Sequence, residues 1–354
     1  MATIGIDCRF ADAKAGLGTY TRKLVPTLLP LLSAHQVVLF TRSEPLWAGA
    51  LPPFVRVVDA PFAPYSIGEH LEFPNVVQAE KIDLFYAPHF NVPYLLSVPS
   101  VCTVHDLILH QFTGSAGFFK RLAYRSVLRR ALKRSRSIIT ISNATAKDLH
   151  SRYGESIFKK CTVAYPGVSK EFSPRSETEQ NAVREKYRLD QPYLLYVGGC
   201  KEHKNVQMLI DAFLDAGLGE TELVLIANGR ECVALKKSEH IRFLSDIADA
   251  ELPALYSASL GSVTATNAEG FYLPGIEAMA CSVPVLATTV GAIPEVLGEH
   301  ALLTEPERAA LTNGIRQLIT DPSLRSPQKL QAAKTWAAKY AWEKAAKEVL
   351  HNLT

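Results

Sequence analysis

Four side chains in this sequence have the types and settings to handle a charged, hydroxyl-rich ligand: Glu269, Glu277, Lys204 and His105. The two glutamates stand in residues 267–284, NAEGFYLPGIEAMACSVP, on either side of a short loop that runs into a helix. Gly270 lets the backbone approach a ligand closely, and Pro274 suits a first helical turn, where its missing N–H costs nothing. The free N–H groups of that helix start form an anion site. Two carboxylates beside it would repel an anion unless they serve hydroxyl groups of the same ligand. A nucleotide sugar carries both a diphosphate and many hydroxyls. The stretch also reads as an ordinary loop and helix with both glutamates on the surface.

Lys204 follows the apolar run 193–197 and its turn, a strand's carboxyl end, where a fixed ammonium could neutralise a departing diphosphate. His105 follows the run 101–104 in the same way, with Asp106 beside it to orient the ring. Gly16-Leu17-Gly18 lies between the first apolar run and a helical pattern from about 19 to 32. It could cradle a phosphate on backbone N–H groups or simply make a tight turn. The third glycine of the longer dinucleotide fingerprint is absent.

The elements that must position these groups alternate. Short apolar or β-branched runs at 4–7, 37–41, 83–87, 100–105 and 137–141 are separated by helical patterns. A second set follows at 193–197, 223–227, 241–244, 260–264 and 283–287. Such alternation predicts parallel sheets covered on both faces, with ligands outside the strands' carboxyl ends. Residues 168–192 are polar, contain Pro174 and Pro192, and read as a connection plus a lead-in helix. The expected fold is α/β, with two doubly wound Rossmann-like domains facing a central cleft. A chain of 354 residues suits two domains.

With 47% hydrophobic and 21% charged residues, the composition is that of a globular protein. The net charge of +3 demands no nucleic-acid partner. Six scattered cysteines without metal-type spacing read as small buried hydrophobes of a reducing compartment. No charged-then-apolar leader and no membrane-length apolar stretch stands out, so a cytoplasmic location is expected. Residues 118–136, FFKRLAYRSVLRRALKRSR, predict a basic helix. Arg121, Arg125 and Arg129 form one stripe, widened by Arg130, Lys133 and Arg134, while Phe119, Leu122, Ala123, Val127 and Ala131 can face inward. It reads either as a solvated face or as a contact with the anionic inner face of a membrane or with a lipid diphosphate.

The E-G-F-x-L-P-x-x-E-A-M-A-C arrangement resembles the E-x7-E signature of retaining glycosyltransferases with the two-domain GT-B fold, and within these glycosyltransferase family 4. Further stretches resemble the family in the same order: IGIDCR (4–9), GLGTYTR (16–22), VHDL (104–107), ISNAT (141–145), LYVG (195–198), HKN (203–205), 241–247 and GAIPEVLG (291–298). The overall pattern looks most like bacterial mannosyltransferases of polysaccharide assembly. The resemblance implies GDP-mannose as first donor, UDP-glucose as second, and a glycan or lipid-linked acceptor. It places His105 beside the donor sugar, Lys204 on the diphosphate, Glu269 on sugar hydroxyls and Glu277 on the ribose. Gly16 and Gly18 would face the donor diphosphate or the acceptor. Gly270, Phe271, Tyr272 and Leu273 would lie near the sugar and diphosphate, and Ile247 near the base. Glu295 is given a structural role.

Two positions depart from the family. Gly199 stands where an arginine usually joins the lysine, leaving Lys201 or His203 as the basic substitute. Tyr272 stands where glycine is commonest, so its ring could shape the sugar or acceptor pocket. No Asp-x-Asp triplet is present, and neither a metal nor another cofactor is expected. The implied domains are 1–170 plus 340–354 for the acceptor and 171–339 for the nucleotide sugar, the last helix crossing back to the first domain. The competing enzyme class is a GT-B epimerase or a phosphorylase-like enzyme on sugar phosphates, the phosphorylase disfavoured because it needs a pyridoxal phosphate lysine and a longer chain; a third reading is a catalytically silent GT-B binding protein.

Overall fold

A computed structural model describes residues 1–13, 16–110 and 118–354, with the side chains of 118–120, 228 and 230 outside the description. The chain forms two compact units, Met1–Gly167 with Ala341–Thr354, and Val168–Tyr340; the sequence reading divides at 170/171 and 339/340.

The first unit is built on a sheet of β1 (Thr3–Asp7), β2 (Gln36–Thr41), β3 (Val55–Asp59), β4 (Leu84–Ala87), β5 (Ser100–Val104), β6 (Ser137–Thr140) and β7 (Cys161–Val163). Every pair is parallel, in the order β3-β2-β1-β4-β5-β6-β7. The central strands β4 and β5 are buried along their whole length, which is why they read as unbroken apolar runs rather than alternating ones. The last helix, Trp342–Leu353, packs in this unit. Trp342 meets the ring of Tyr20 edge-on at 5.8 Å, and the backbone carbonyl of Asn352 accepts from Arg136 Nη2 at 3.1 Å.

The second unit repeats the plan with β8 (Tyr193–Gly199), β9 (Glu222–Asn228), β10 (Ile241–Leu244), β11 (Gly261–Val263), β12 (Val285–Thr288) and β13 (Leu302–Thr304), parallel in the order β10-β9-β8-β11-β12-β13. In each sheet the strand order reverses beside the first strand, between β1 and β4 and between β8 and β11. Doubly wound sheets bind ligands at that reversal, outside the carboxyl ends.

Two readings of the sequence change. Cys200 and Cys232 form a disulfide rather than two isolated buried thiols. They are 32 residues apart, and only the side-by-side ends of β8 and β9 bring them together. Cys8, Cys102 and Cys281 are buried free thiols, and Cys161 is a half-buried one. The basic helix, Phe118–Arg134, turns Tyr124, Val127, Leu128, Ala131 and Leu132 toward the core. That is an i, i+3, i+4 stripe, which keeps the expected Val127 and Ala131 inward, while Phe119 lies among the side chains outside the description. Leu122 is exposed instead of inward, as is Ala123. No helix of the described residues is long and apolar enough to cross a membrane.

Candidate active site

The second unit brings two of the expected residues into direct contact. After β8 the chain passes Cys200 and Lys201, makes a short 3-10 turn, Glu202–Lys204, and leaves it through Asn205 in a left-handed conformation (φ 52°). This turn is tied to the segment after β11. The carbonyl of His203 accepts from the backbone N–H of Asn267 at 2.7 Å and from the Thr266 hydroxyl at 3.0 Å. The result sets Lys204 Nζ 2.6 Å from Glu269 Oε1, with both side chains largely but not wholly covered. Glu269 is held from behind by the GAIPEVLG segment. The Ala292 N–H donates to the Glu269 carbonyl at 3.0 Å. Gly291 (φ 54°) lies so close that a Cβ there would stand 2.3 Å from that carbonyl oxygen.

Glu277 sits half-buried on the helix Leu273–Ala280, and its Oε2 accepts from the Tyr256 hydroxyl at 3.3 Å. That helix starts at Tyr272, whose backbone is left-handed (φ 83°, ψ 63°). The conformation suits glycine and strains a bulky residue, which is why glycine fits this position. The Tyr272 ring does not line a pocket as expected. It is 5% exposed, turned inward against Gly275, and burial raises its phenol well above the usual range. Phe271 is also buried, against Tyr340 at 5.4 Å, and Gly270 is buried, while Leu273 is half-buried. These three residues would therefore offer mainly backbone to a ligand. Ile247 is half-buried in the loop after β10. The side chains of Asn228 and Arg230, after β9, lie outside the described residues.

Of the two substitutes for the missing arginine, only Lys201 is a cation. Burial, with Lys204 and Lys201 nearby, pulls the His203 imidazole down to about 4, so it is neutral at physiological pH. Lys201 is exposed and next in sequence to the disulfide.

In the first unit His105 stands at the carboxyl end of β5. Its Nε2 lies 2.8 Å from the Pro88 carbonyl, which can only accept, so Nε2 carries the proton and Nδ1 is the acceptor. Burial pulls the ring down to about 4. The expected partner Asp106 does not orient this ring; its Oδ1 instead accepts from the Ile108 N–H at 3.0 Å. Thr145 of the ISNAT stretch donates to the His105 carbonyl at 3.0 Å. Gly16 and Gly18 fall inside the first turn of the helix Gly16–Leu28 rather than in a loop before it. A Cβ at Gly18 would lie 1.9 Å from the Ala13 carbonyl oxygen, so the glycine is needed for chain packing.

Sequence reasoning missed a buried ionic group at the carboxyl ends of β1 and β4. Arg9 donates to both oxygens of Asp7, at 2.9 and 2.7 Å. It also faces Glu69 Oε1 at 2.8 Å, and all three side chains are almost fully buried. Asn91 donates to Glu69 Oε2 at 2.6 Å. Asp7 and Arg9 stand in the IDCR stretch; Glu69 lies far along the chain in no motif, and only the fold pairs it. Among the described residues no cluster of three or more His, Cys, Asp or Glu could hold a metal ion.

Two doubly wound parallel sheets, each with polar groups at the reversal of strand order, are the architecture of the GT-B fold. Sucrose-phosphate synthase from Thermosynechococcus elongatus shares the fold, with a TM-score of 0.79 over 99% of this chain and 98% of that one, at 19% identity. The chain belongs to glycosyltransferase family 4: residues 15–172 match the Glycosyltransferase Family 4 model and residues 191–321 the model for Glycosyl transferases group 1. It is 29% identical over 284 residues to the O-antigen chain mannosyltransferase B of Escherichia coli, covering 76% of this chain and 73% of that protein. It is 28% identical over 228 residues to the O-antigen chain mannosyltransferase RfbU of Salmonella typhimurium, covering 62% and 60%.

Proposed function

We propose that the chain moves a hexosyl group, mannose first, from a nucleotide diphosphate sugar to a glycan or lipid-linked acceptor, retaining anomeric configuration and needing no metal. GDP-mannose is the first donor and UDP-glucose the second; the mannosyl preference draws on the two mannosyltransferase relatives. The observation that carries the reading is the Lys204–Glu269 pair at the carboxyl edge of β8 and β11. A lysine held against a carboxylate in a partly covered site can pass its charge to an arriving diphosphate, freeing the carboxylate for sugar hydroxyls. Lys204 then stabilises charge that grows on the leaving group. Glu277 takes the ribose, and Lys201 supplies the second phosphate contact. No carboxylate here is assigned as a covalent nucleophile. The acceptor therefore attacks the face the diphosphate leaves, and the departing diphosphate takes its proton. His105, neutral and with Nδ1 as an acceptor, can receive a hydrogen bond from a sugar hydroxyl.

The test is NMR assignment of the linkage formed from an α-linked nucleotide sugar, with and without EDTA. An α-linked product and EDTA-insensitive turnover are expected. An inverted linkage, or activity lost to EDTA and restored by magnesium, sinks this reading. Nucleotide binding without turnover on any acceptor would favour a silent binding protein.

The basic helix supports contact with an anionic membrane surface. Arg125, Arg129, Arg130, Lys133 and Arg134 line a cavity of about 570 Å³ with Tyr94 and Leu122. Arg121, Arg129, Lys133 and Arg134 are exposed, as are Leu95 and Leu122. Each cation near such a surface contributes roughly 1 kcal/mol, and salt screens the effect. Binding to anionic vesicles is expected at low salt and should weaken as salt rises. Replacing Arg121, Arg125 and Arg129 with glutamine should reduce it without changing hydrolysis of the soluble donor. Equal sedimentation of wild type and triple variant would leave the helix as a solvated face.

A further inference from the structure

The buried ionic group of the first unit ends on one half-exposed aromatic ring. Glu69, paired with Arg9 and bonded by Asn91, accepts the Tyr65 backbone N–H at 2.6 Å. Ser66 caps the helix that carries Glu69, accepting the Glu69 N–H at 3.2 Å. Between these fixed points Tyr65 takes a left-handed backbone, φ 63°. For a residue with a Cβ this conformation is strained and persists only where the surroundings impose it. Glycine would adopt it freely, so a tyrosine here calls for a reason in its side chain.

That side chain is packed on one side only, edge-on to Phe10 and His89. Tyr65 is 56% exposed. Its hydroxyl lies 2.8 Å from His89 Nε2, and its ring meets Phe10 edge-on at 5.8 Å. His89 is buried just past the end of β4. Among the described residues its Nδ1 has no hydrogen-bond partner, and its ring is 5.9 Å from that of His105. Tyr65 thus stands two ring contacts from the motif histidine, at the carboxyl edge of the sheet that does not carry Lys204 and Glu269. A ring fixed in place but left open to solvent loses little freedom when a ligand covers it. Its electron-rich face suits the C–H face of a sugar, and its edge is held by His89.

Resting on the transferase reading above, we propose that Tyr65 is the acceptor-sugar contact of the first unit, a specificity-determining platform on which a pyranoside ring of the acceptor stacks. The conformational strain at Tyr65 and the Arg9–Glu69–Asn91 group that imposes it serve to hold that ring.

The experiment uses the full chain, GDP-mannose and p-nitrophenyl α-mannoside as the probe acceptor. Tyr65→Gly removes the ring while relieving the backbone. The acceptor KM is expected to rise about tenfold or more, donor hydrolysis without acceptor to stay unchanged, and the melting temperature to hold or rise. Tyr65→Phe keeps the ring and should stay close to wild type in acceptor KM. An unchanged acceptor KM in Tyr65→Gly overturns the proposal. So does a rise accompanied by a fall in melting temperature and in donor hydrolysis, because the tyrosine would then be structural. Saturation-transfer NMR of the glycoside without donor separates this idea from the transferase reading. Wild type should bind the glycoside and Tyr65→Gly should not, whether or not turnover is seen; equal binding by both overturns the proposal.

Discussion

Lys204→Ala is expected to lower turnover by on the order of a hundredfold or more, the usual loss when one preorganised group facing developing charge is removed. The structure gives a second reason for a large effect. Lys204 Nζ is 2.6 Å from Glu269 Oε1 in a partly covered setting. Deleting the ammonium therefore removes the charge meant for the diphosphate and also leaves Glu269 as an uncompensated carboxylate beside the same site, where it repels the donor. Charge on the leaving diphosphate is greatest in the transition state, so kcat should carry much of the loss, with donor KM rising as well. Glu269→Gln in the Lys204→Ala background removes the repulsion but not the missing cation. It should recover donor KM more than kcat. The measurement is steady-state kinetics of the purified variants, with circular dichroism to confirm that the fold is kept. Near wild-type turnover in Lys204→Ala would remove this lysine from the chemistry.

Much of this architecture was legible because it depends on burial. The inner strands β1, β2, β4, β5, β8, β9 and β12 are covered on both faces and read as apolar runs. The strands that escaped reading are β3, β7 and β13, all at sheet edges, and β7 and β13 have only three residues each. An edge strand buries less and so leaves a weaker pattern. The motif residues Lys204, Glu269, Glu277 and His105 were visible by type and setting; their partners were not. The Lys204–Glu269 pair joins residues 65 apart, and the Pro88 carbonyl that fixes His105 is a backbone atom with no side-chain signature. Tyr272 looked like a pocket residue because a large ring at a glycine position suggests an altered surface, yet the left-handed backbone turns it into the core. The Cys200–Cys232 bond was illegible because it joins the ends of two neighbouring strands, which only sheet register brings together.

Arg9→Met is expected to destabilise the first unit by about 3–5 kcal/mol, the cost of breaking a buried ion pair by removing one partner. Arg9 is 1% exposed, sits between Asp7 and Glu69, and lays its guanidinium 4.0 Å from the centre of the Phe73 ring. Methionine would fill much of the volume and keep the contact with Phe73. The loss would then come from two carboxylates sharing a dry site without a cation. Their response to pH distinguishes this cause from poor packing. Burial already holds the Glu69 carboxyl above its usual range, with Arg9 pulling it back down. Without Arg9 it rises further. A group whose folded pKa lies above its unfolded value gives its full stability below the unfolded value and loses it as pH rises through the folded one. The difference between wild type and variant should therefore be large at neutral pH and shrink as pH falls toward about 4.3, the ordinary glutamate value, because one of the two carboxyls then takes a proton. Urea unfolding of both proteins across that range measures it, with the variant's thermal transition on the order of 10 °C lower at pH 7. A difference that stays constant with pH would mean that Arg9 acts through its shape and its contact with Phe73 rather than through its charge.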